Sequence, residues 1–228
     1  MRVTVIDYKA GNLTSVLKTL RHLGAETVVT DGDLSLVESA ERIVLPGVGH
    51  FAATRRLDTT GLTGAIRAAI ARGVPFLGIC VGMQWLLEGS AEAPNQPGLG
   101  YFRGQCDRFP NGSEKVPHVG WNRFYPRIHP ASRLFCGVDL NEGQGGGFGY
   151  AYFTHSYYVS RNLFASAGPA NVPCVAAITK YALPWNAFTS AIEHENVFGV
   201  QFHPEKSGAT GLKILRNFLS ISAKDSRC

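Results

Sequence analysis

The chain has 228 residues, of which 45% are hydrophobic, and these values suit one globular domain with a sizeable core. Its first residues enter a strand pattern without a secretory leader, and no run of about 18 apolar residues occurs. We therefore expect a soluble, cytoplasmic protein in which residues 1–228 form a single domain. The five cysteines are dispersed and odd in number, which indicates neither a disulfide framework nor a zinc site.

The net charge of +5 has two interpretations. Lysine and arginine are dispersed singly and no nucleic-acid-binding motif occurs, so the charge does not indicate a nucleic-acid partner. A solvated basic surface is the simpler interpretation. The alternative is a positive face that meets an acidic partner or a phosphorylated substrate. We expect no cofactor, no metal and no membrane partner.

Short apolar runs alternate with helical patterns in the first half of the chain. We predict strands at 3–6, 27–29, 42–45 and 74–77, and helices at about 13–23, with Asn12 as the N-cap, and about 62–71. Strand–helix alternation of this kind predicts an α/β fold with a doubly wound, mainly parallel sheet flanked by helices. Sites in such folds lie at the carboxyl ends of the strands.

The second half reads differently, because strand-like segments follow one another with only turns between them. These segments are 116–124, 150–160, 175–181 and 188–193. They predict antiparallel additions beside the parallel core. The glycine-rich segment 143–149 is predicted to be a loop. A buried strand at 197–202 and a helix around 212–219 complete the predicted fold.

Cys80 follows an apolar strand pattern and stands between Gly78 and Gly82. Small residues two before and two after a nucleophile are what a sharp strand-to-helix turn requires, because a side chain at either place would collide with the backbone. The turn would lift the sulfur to the start of a helix predicted at 83–87, where amide N–H groups favour thiolate over thiol. The alternative is an ordinary buried cysteine in a core strand.

His203 and Glu205 follow the buried strand at 197–202, which Pro204 is expected to end. In extended chain, residues two apart point to the same side, so the imidazole and the carboxylate are predicted to converge. With Cys80 they make a candidate set of nucleophile, base and orienting carboxylate.

These residues resemble the marks of the class I (triad) glutamine amidotransferases, namely the elbow around Cys80 and the 203–205 segment. More narrowly, the chain resembles the glutaminase subunits of imidazole glycerol phosphate synthase, from histidine biosynthesis. The narrower resemblance rests on residues 6–13, 45–51, 78–84, 116–122, 153–158 and 199–207, which occur in family order over nearly the whole chain.

The resemblance implies hydrolysis of glutamine through a thioester on Cys80. Ammonia would pass to a separate cyclase subunit in a heterodimer. The tetrahedral oxyanion needs backbone donors, which we expect from Val81 and from Val48 and Gly49 in the loop 46–49. The resemblance also implies two further sets of residues. Gln84, Glu92 and Ser156 would bind the glutamine head group, and Trp121, Asn122, Tyr152 and Lys206 would face the partner subunit.

Three other functions stay open at this point. One is a paralogous subunit that feeds ammonia to another synthase, such as one that amidinates sugars. A non-catalytic binding subunit would be expected to lack the cysteine, histidine or glutamate, and all three are present. A cysteine hydrolase such as a peptidase is disfavoured by the spacing of Gln84 and Glu92 from Cys80 and by the loop 46–49.

Overall fold

A computed structural model describes residues 1–10, 13–112, 114–127, 132–141, 147–161, 174–182 and 187–222. Two predictions lie wholly or partly outside this range. They are Asn12 as a helix N-cap and most of the glycine-rich loop 143–149. Residues 183–186, which sequence alone indicates to be irregular, also lie outside it.

Within the described residues, twelve strands pair into one sheet whose first half is parallel. The strands are β1 (Arg2–Ile6), β2 (Glu26–Thr30), β3 (Ile43–Leu45), β4 (Phe76–Ile79), β5 (Gly89–Ser90), β6 (Gln105–Arg108), β7 (His118–Pro126), β8 (Gly149–His155), β9 (Tyr157–Ser160), β10 (Cys174–Lys180), β11 (Ala187–His194) and β12 (Val197–Val200). The main path runs β2-β1-β3-β4-β12-β11-β10-β7-β8. Strands β2, β1, β3, β4 and β12 are mutually parallel, so the last strand of the chain pairs with β4 at the centre.

The antiparallel additions are present as predicted, because β11, β10, β7 and β8 extend the sheet beyond β12. The strand expected at 150–160 is two strands that part at Ser156. Strand β8 pairs with β7, whereas β9 pairs with β11 and β6. The predicted α/β fold class is confirmed, and the second half folds as one extension of the core sheet.

Helices flank the sheet. They are α1 (Leu13–His22), α2 (Ser35–Glu38), α3 (Arg55–Thr59), α4 (Leu62–Ala71), α5 (Val81–Gln84) and α6 (Gly208–Ser220). Helix α4 has the predicted bounds, and α1 stops one residue short of Leu23. The longest of them has 13 residues. Within the described ranges no helix combines the length and the apolar character that a bilayer-spanning segment needs.

Candidate active site

Cys80 lies at the carboxyl end of β4 in a strained backbone conformation. Its φ of 54° and ψ of −108° are unusual for a residue with a side chain, and such strain is typical of a nucleophile elbow. The two flanking glycines make the turn possible. A Cβ on Gly78 would collide with the carbonyl of Gly82, and one on Gly82 would collide with the carbonyl of Leu45. The turn therefore requires glycine at both positions, for the steric reason that the sequence predicted.

The helix after Cys80 begins and ends earlier than predicted. It covers Val81–Gln84, and the helix expected at 83–87 is wrong. The reason lies in the next three carbonyls. Those of Trp85, Leu86 and Leu87 accept hydrogen bonds from N–H groups in residues 99–102 instead of continuing the helix. The elbow therefore consists of a single short turn of helix.

His203 and Glu205 form a buried pair. The Nδ1 atom of His203 lies 2.9 Å from Oε1 of Glu205, and each side chain is 1% exposed. The convergence was predicted, but the extended-chain reason was wrong, because residues 204–206 form a turn of 3₁₀ helix. Burial disfavours the imidazolium, yet interaction with Cys80 and with Glu205 raises the pKa of His203 to about 10.

The central position of β12 brings Cys80 and His203 together. Val200 pairs with Ile79, and the N–H of Cys80 donates to the carbonyl of Val200 at 2.7 Å. Because the two strands are parallel neighbours, the residues that follow each of them share one edge of the sheet. The nucleophile and base candidates therefore meet, although they are far apart in the sequence. No cluster of histidine, cysteine or carboxylate side chains suited to a metal ion occurs in the described ranges.

The predicted oxyanion loop follows β3 and packs against the elbow. A Cβ on Gly47 would lie 2.7 Å from Cβ of Val81 and would collide with the hydroxyl of Tyr8, so only glycine fits there. Gly49 has a φ of 131°, a conformation that favours glycine, and open space surrounds it. Val48, Gly49 and Val81 are thus parts of two adjoining segments, from which backbone N–H groups can converge near Cys80.

The three residues expected to hold glutamine lie around the same site. Gln84 is 2% exposed, and its amide nitrogen donates to the carbonyl of Tyr157 at 2.9 Å. Glu92 accepts the N–H of Phe51 at 2.7 Å, just after the loop 46–49. Ser156 lies at the break between β8 and β9, and its carbonyl accepts the N–H of Phe109.

Sequence reasoning missed Gln201 as a site residue. It is fully buried, and its Nε2 atom lies 3.5 Å from the Cys80 sulfur. The carbonyl of Thr154 lies 3.9 Å from the same sulfur. The available signal was an amide side chain within the otherwise apolar run 197–202. A buried amide needs partners, and here one partner is the nucleophile candidate.

A buried histidine pair behind the site was also missed. His118 Nδ1 lies 3.1 Å from His155 Nε2, and His155 Nδ1 lies 2.8 Å from the carbonyl of Tyr157. Burial lowers the pKa of His118 to about 4 and that of His155 to about 3. Asn122 Nδ2 lies 3.2 Å from His118 Nε2 and so connects the pair to the protein surface. Both rings are therefore neutral near pH 7.

The four residues expected to face a partner lie near one another at the edge of the sheet. Trp121 is 58% exposed and pairs with Tyr152 across β7 and β8. Their rings are 6.2 Å apart in a T-shaped arrangement. Lys206 Nζ lies 5.7 Å from the ring centroid of Tyr152. Asn122 is half-buried and lies on the opposite face of β7 from Trp121, where its amide donates to the carbonyl of Lys180. A single tryptophan is more often buried in the core, but the exposure of Trp121 excludes that for this residue.

Comparison with known proteins identifies the family. The chain matches the family described as glutamine amidotransferase class-I over residues 4–221. It is 42% identical over 226 residues to the imidazole glycerol phosphate synthase subunit HisH of Geobacillus kaustophilus, covering 96% of this chain and 97% of that protein. The HisH subunit of Methanothermobacter thermautotrophicus is 42% identical over 220 residues, covering 96% and 98%. A glutamine amidotransferase crystal structure has the same fold, with a TM-score of 0.68 at 19% identity over 95% of this chain and 96% of that one. The chain therefore belongs to the class I glutamine amidotransferases and, among them, to the HisH subunits of imidazole glycerol phosphate synthase.

Proposed function

We propose that this chain is the glutaminase subunit of imidazole glycerol phosphate synthase. It hydrolyses glutamine to glutamate and ammonia and passes the ammonia to a separate cyclase subunit. That subunit makes imidazole glycerol phosphate and the aminoimidazole carboxamide ribonucleotide. The observation that carries this proposal is the strained Cys80 beside the buried pair of His203 and Glu205.

In the proposed mechanism, the Cys80 thiolate attacks the carboxamide carbon of glutamine. The resulting oxyanion accepts hydrogen bonds from the backbone N–H group of Val81 and from those of the segment of Val48 and Gly49. Ammonia leaves with a proton from Nε2 of His203, since Nδ1 is held by Glu205. The thioester remains on Cys80.

Hydrolysis of the thioester completes the cycle. His203 removes a proton from water, which attacks the thioester carbon, and the Cys80 thiolate departs as glutamate forms. Gln84, Glu92 and Ser156 are the proposed contacts of the glutamine head group. Glu92 supplies a carboxylate beside the loop 46–49, which suits an ammonium group.

The partner is proposed to dock on the exposed face of β7 and β8. Val119, Trp121 and Tyr150 are 56%, 58% and 40% exposed. Adjacent exposed apolar side chains of this size are typical of interaction sites. Tyr152 and Lys206 adjoin them on this face, whereas Asn122 lies on the other face of β7 and connects the proposed interface to His118.

The decisive experiment combines the chain with the cyclase subunit and its nucleotide substrate. We expect glutamine to support product formation. Cys80→Ala should lower the rate of this glutamine-dependent reaction by a factor of about 10⁴–10⁶. Product formation from ammonium salts should survive in the variant complex, because the cyclase needs only ammonia. Glutamine-dependent synthesis by the folded Cys80→Ala complex would refute the mechanism. Failure of the parent chain to support this cyclase would refute the assignment of the partner.

A further inference from the structure

Two buried glutamine side chains lie next to the nucleophile and belong to neither the base pair nor the oxyanion loop. Gln201 is 0% exposed and Gln84 is 2% exposed. The Nε2 atom of Gln84 lies 3.1 Å from Oε1 of Gln201, and Nε2 of Gln201 lies 3.5 Å from the sulfur of Cys80. The two amides therefore form a chain that ends on the reacting sulfur.

The direction of this chain is fixed by a backbone carbonyl. The carbonyl of Tyr157 only accepts hydrogen bonds, so the atom of Gln84 that lies 2.9 Å from it must be the NH₂ group. The other hydrogen of that group then points to Gln201, whose facing atom must be the oxygen. The NH₂ group of Gln201 is consequently turned toward Cys80. The reverse arrangement would place oxygen against oxygen at Tyr157.

The backbone holds Gln201 in this position. Its N–H donates to the carbonyl of Ser190 at 2.9 Å, on the β11 side. The preceding residue, Val200, pairs with Ile79 and accepts the N–H of Cys80 on the β4 side. The backbone of Gln201 is thus fixed between two strands beside Cys80, and the hydrogen bond from Gln84 orients its side-chain amide.

We propose that Gln201 donates an N–H to the sulfur of Cys80 and stabilises its thiolate form, and that Gln84 is the positioning residue that keeps this amide oriented. A donor favours the charged form of an acceptor, and a thiolate accepts far more strongly than a thiol. This inference rests on the proposed function, in which Cys80 is the nucleophile. It adds a donor that persists when the base changes its charge.

The effects of the other groups near the sulfur can be distinguished from that of Gln201 by their charge near pH 7. His203, paired with Glu205, is the cation. Burial raises the pKa of the Tyr8 hydroxyl and of the Cys106 thiol, so both are neutral near pH 7. The carbonyl of Thr154 can accept only from the thiol form. An amide does not titrate, so its loss shifts the whole pH profile of thiolate reactivity.

The test is the pH dependence of alkylation of Cys80 by iodoacetamide in the full chain, with modification at Cys80 resolved by peptide mass spectrometry. Gln201→Met keeps a long side chain but removes the donor. We expect the midpoint of the profile to rise by about 1–2 pH units, which makes alkylation about 10- to 100-fold slower below the midpoint. Gln201→Glu should shift it further because it adds a negative charge. Gln84→Met should give a smaller shift in the same direction.

The matched control is Gln96→Met. The amide of Gln96 is half-buried, donates to Asp58 at 2.8 Å and belongs to neither of the contacts around Cys80. Its profile should match that of the parent. An unshifted profile in folded Gln201→Met, or an equal shift in the control, would overturn the inference. If Gln201→Met does not fold, Gln84→Met decides the question alone. An unshifted profile in Gln84→Met would then overturn the inference. Glutaminase activity in Cys80→Ala would instead show that the proposed function has failed.

Discussion

The backbone carbonyl of Tyr152 accepts the N–H of His203 at 2.8 Å. Tyr152 also donates its own N–H to Ser207 Oγ at 3.0 Å, and Ser207 Oγ donates to the carbonyl of His203 at 2.7 Å. The strand that carries the exposed aromatic face is therefore bonded directly to the proposed base. A partner that contacts Trp121 and Tyr152 would therefore be linked to His203, the proposed base, by a backbone hydrogen bond.

Trp121→Ala should weaken the complex with the cyclase subunit. A large exposed aromatic residue in an interface often contributes enough that its loss raises Kd by about 30-fold or more. The stability of the isolated chain should change little, because Trp121 is 58% exposed. Val29→Ala is the matched control, since Val29 is 38% exposed on β2 at the opposite end of the sheet path. Isothermal titration calorimetry against the cyclase gives both Kd values. Equal affinities of the two variants would move the interface elsewhere.

Glu205→Gln should reduce glutamine turnover less than His203→Ala does. The imidazole carries the protons, whereas the carboxylate orients the ring and stabilises its charged form. The pKa of His203, raised to about 10 by Cys80 and Glu205, should also fall in Glu205→Gln. Turnover at matched folding tests the first expectation, and an NMR titration of the histidine tests the second. If Glu205→Gln has parent activity and an unchanged titration, the carboxylate has no part in the mechanism.

Gly49→Val should lower turnover in the complex by about 10²–10³ while changing KM less, because one oxyanion donor is misplaced. The φ of 131° is unfavourable for valine although nothing lies within 4 Å. Gly24→Val is the control, since Gly24 has a φ of 84° and equally open surroundings after α1. Both variants should lose stability, but only Gly49→Val should lose turnover.

Steady-state kinetics with and without the cyclase and its ligand carry this test. We expect the parent chain to be a poor glutaminase alone and to be activated by its partner. The loop 46–49 is the proposed switch, since its glycines permit two backbone arrangements. A lone parent chain that is already fully active would contradict the switch, and full turnover of Gly49→Val would remove the loop from the oxyanion site.

The buried pair of His118 and His155 should make the chain less stable as the pH falls from 7 to 5. Their pKa values of about 4 and 3 lie below the usual 6.5, so the unfolded state binds more protons in this range. The stability they contribute is present above pH 6.5 and is lost as the pH falls toward these values. Urea unfolding at several pH values measures the slope. His155→Gln should flatten it, and an unchanged slope would show that the pair is not neutral in the native state.

His203 acts in the opposite direction, and this distinguishes its contribution. Its raised pKa stabilises the folded state below pH 6.5, and that stability is lost as the pH rises toward 10. The two effects therefore dominate on different sides of neutral pH. Urea unfolding at several pH values between 7 and 10 measures this loss. In His203→Ala the unfolding free energy should fall less steeply over this range than in the parent chain.

Local sequence rules predicted the elbow well, because the clash that excludes side chains at Gly78 and Gly82 arises within a few residues. They predicted that His203 and Glu205 converge but not how, since Pro204 starts a 3₁₀ turn where an extended chain was expected. Gln201 was beyond their reach. Its partner Gln84 is 117 positions away, and only the pairing of β12 with β4 brings the two amides together. Strand breaks such as that at Ser156 likewise depend on which neighbours each half meets.

The insertion of β12 beside β4 also sets an order in time. Gln201 is synthesised 121 residues after Cys80, which at about 5–20 residues per second is about 6–24 s later. During that interval the nascent chain holds Cys80 without the proposed base, and the centre of its sheet lacks a strand. If His203 is the base, a chain that ends before it should not hydrolyse glutamine.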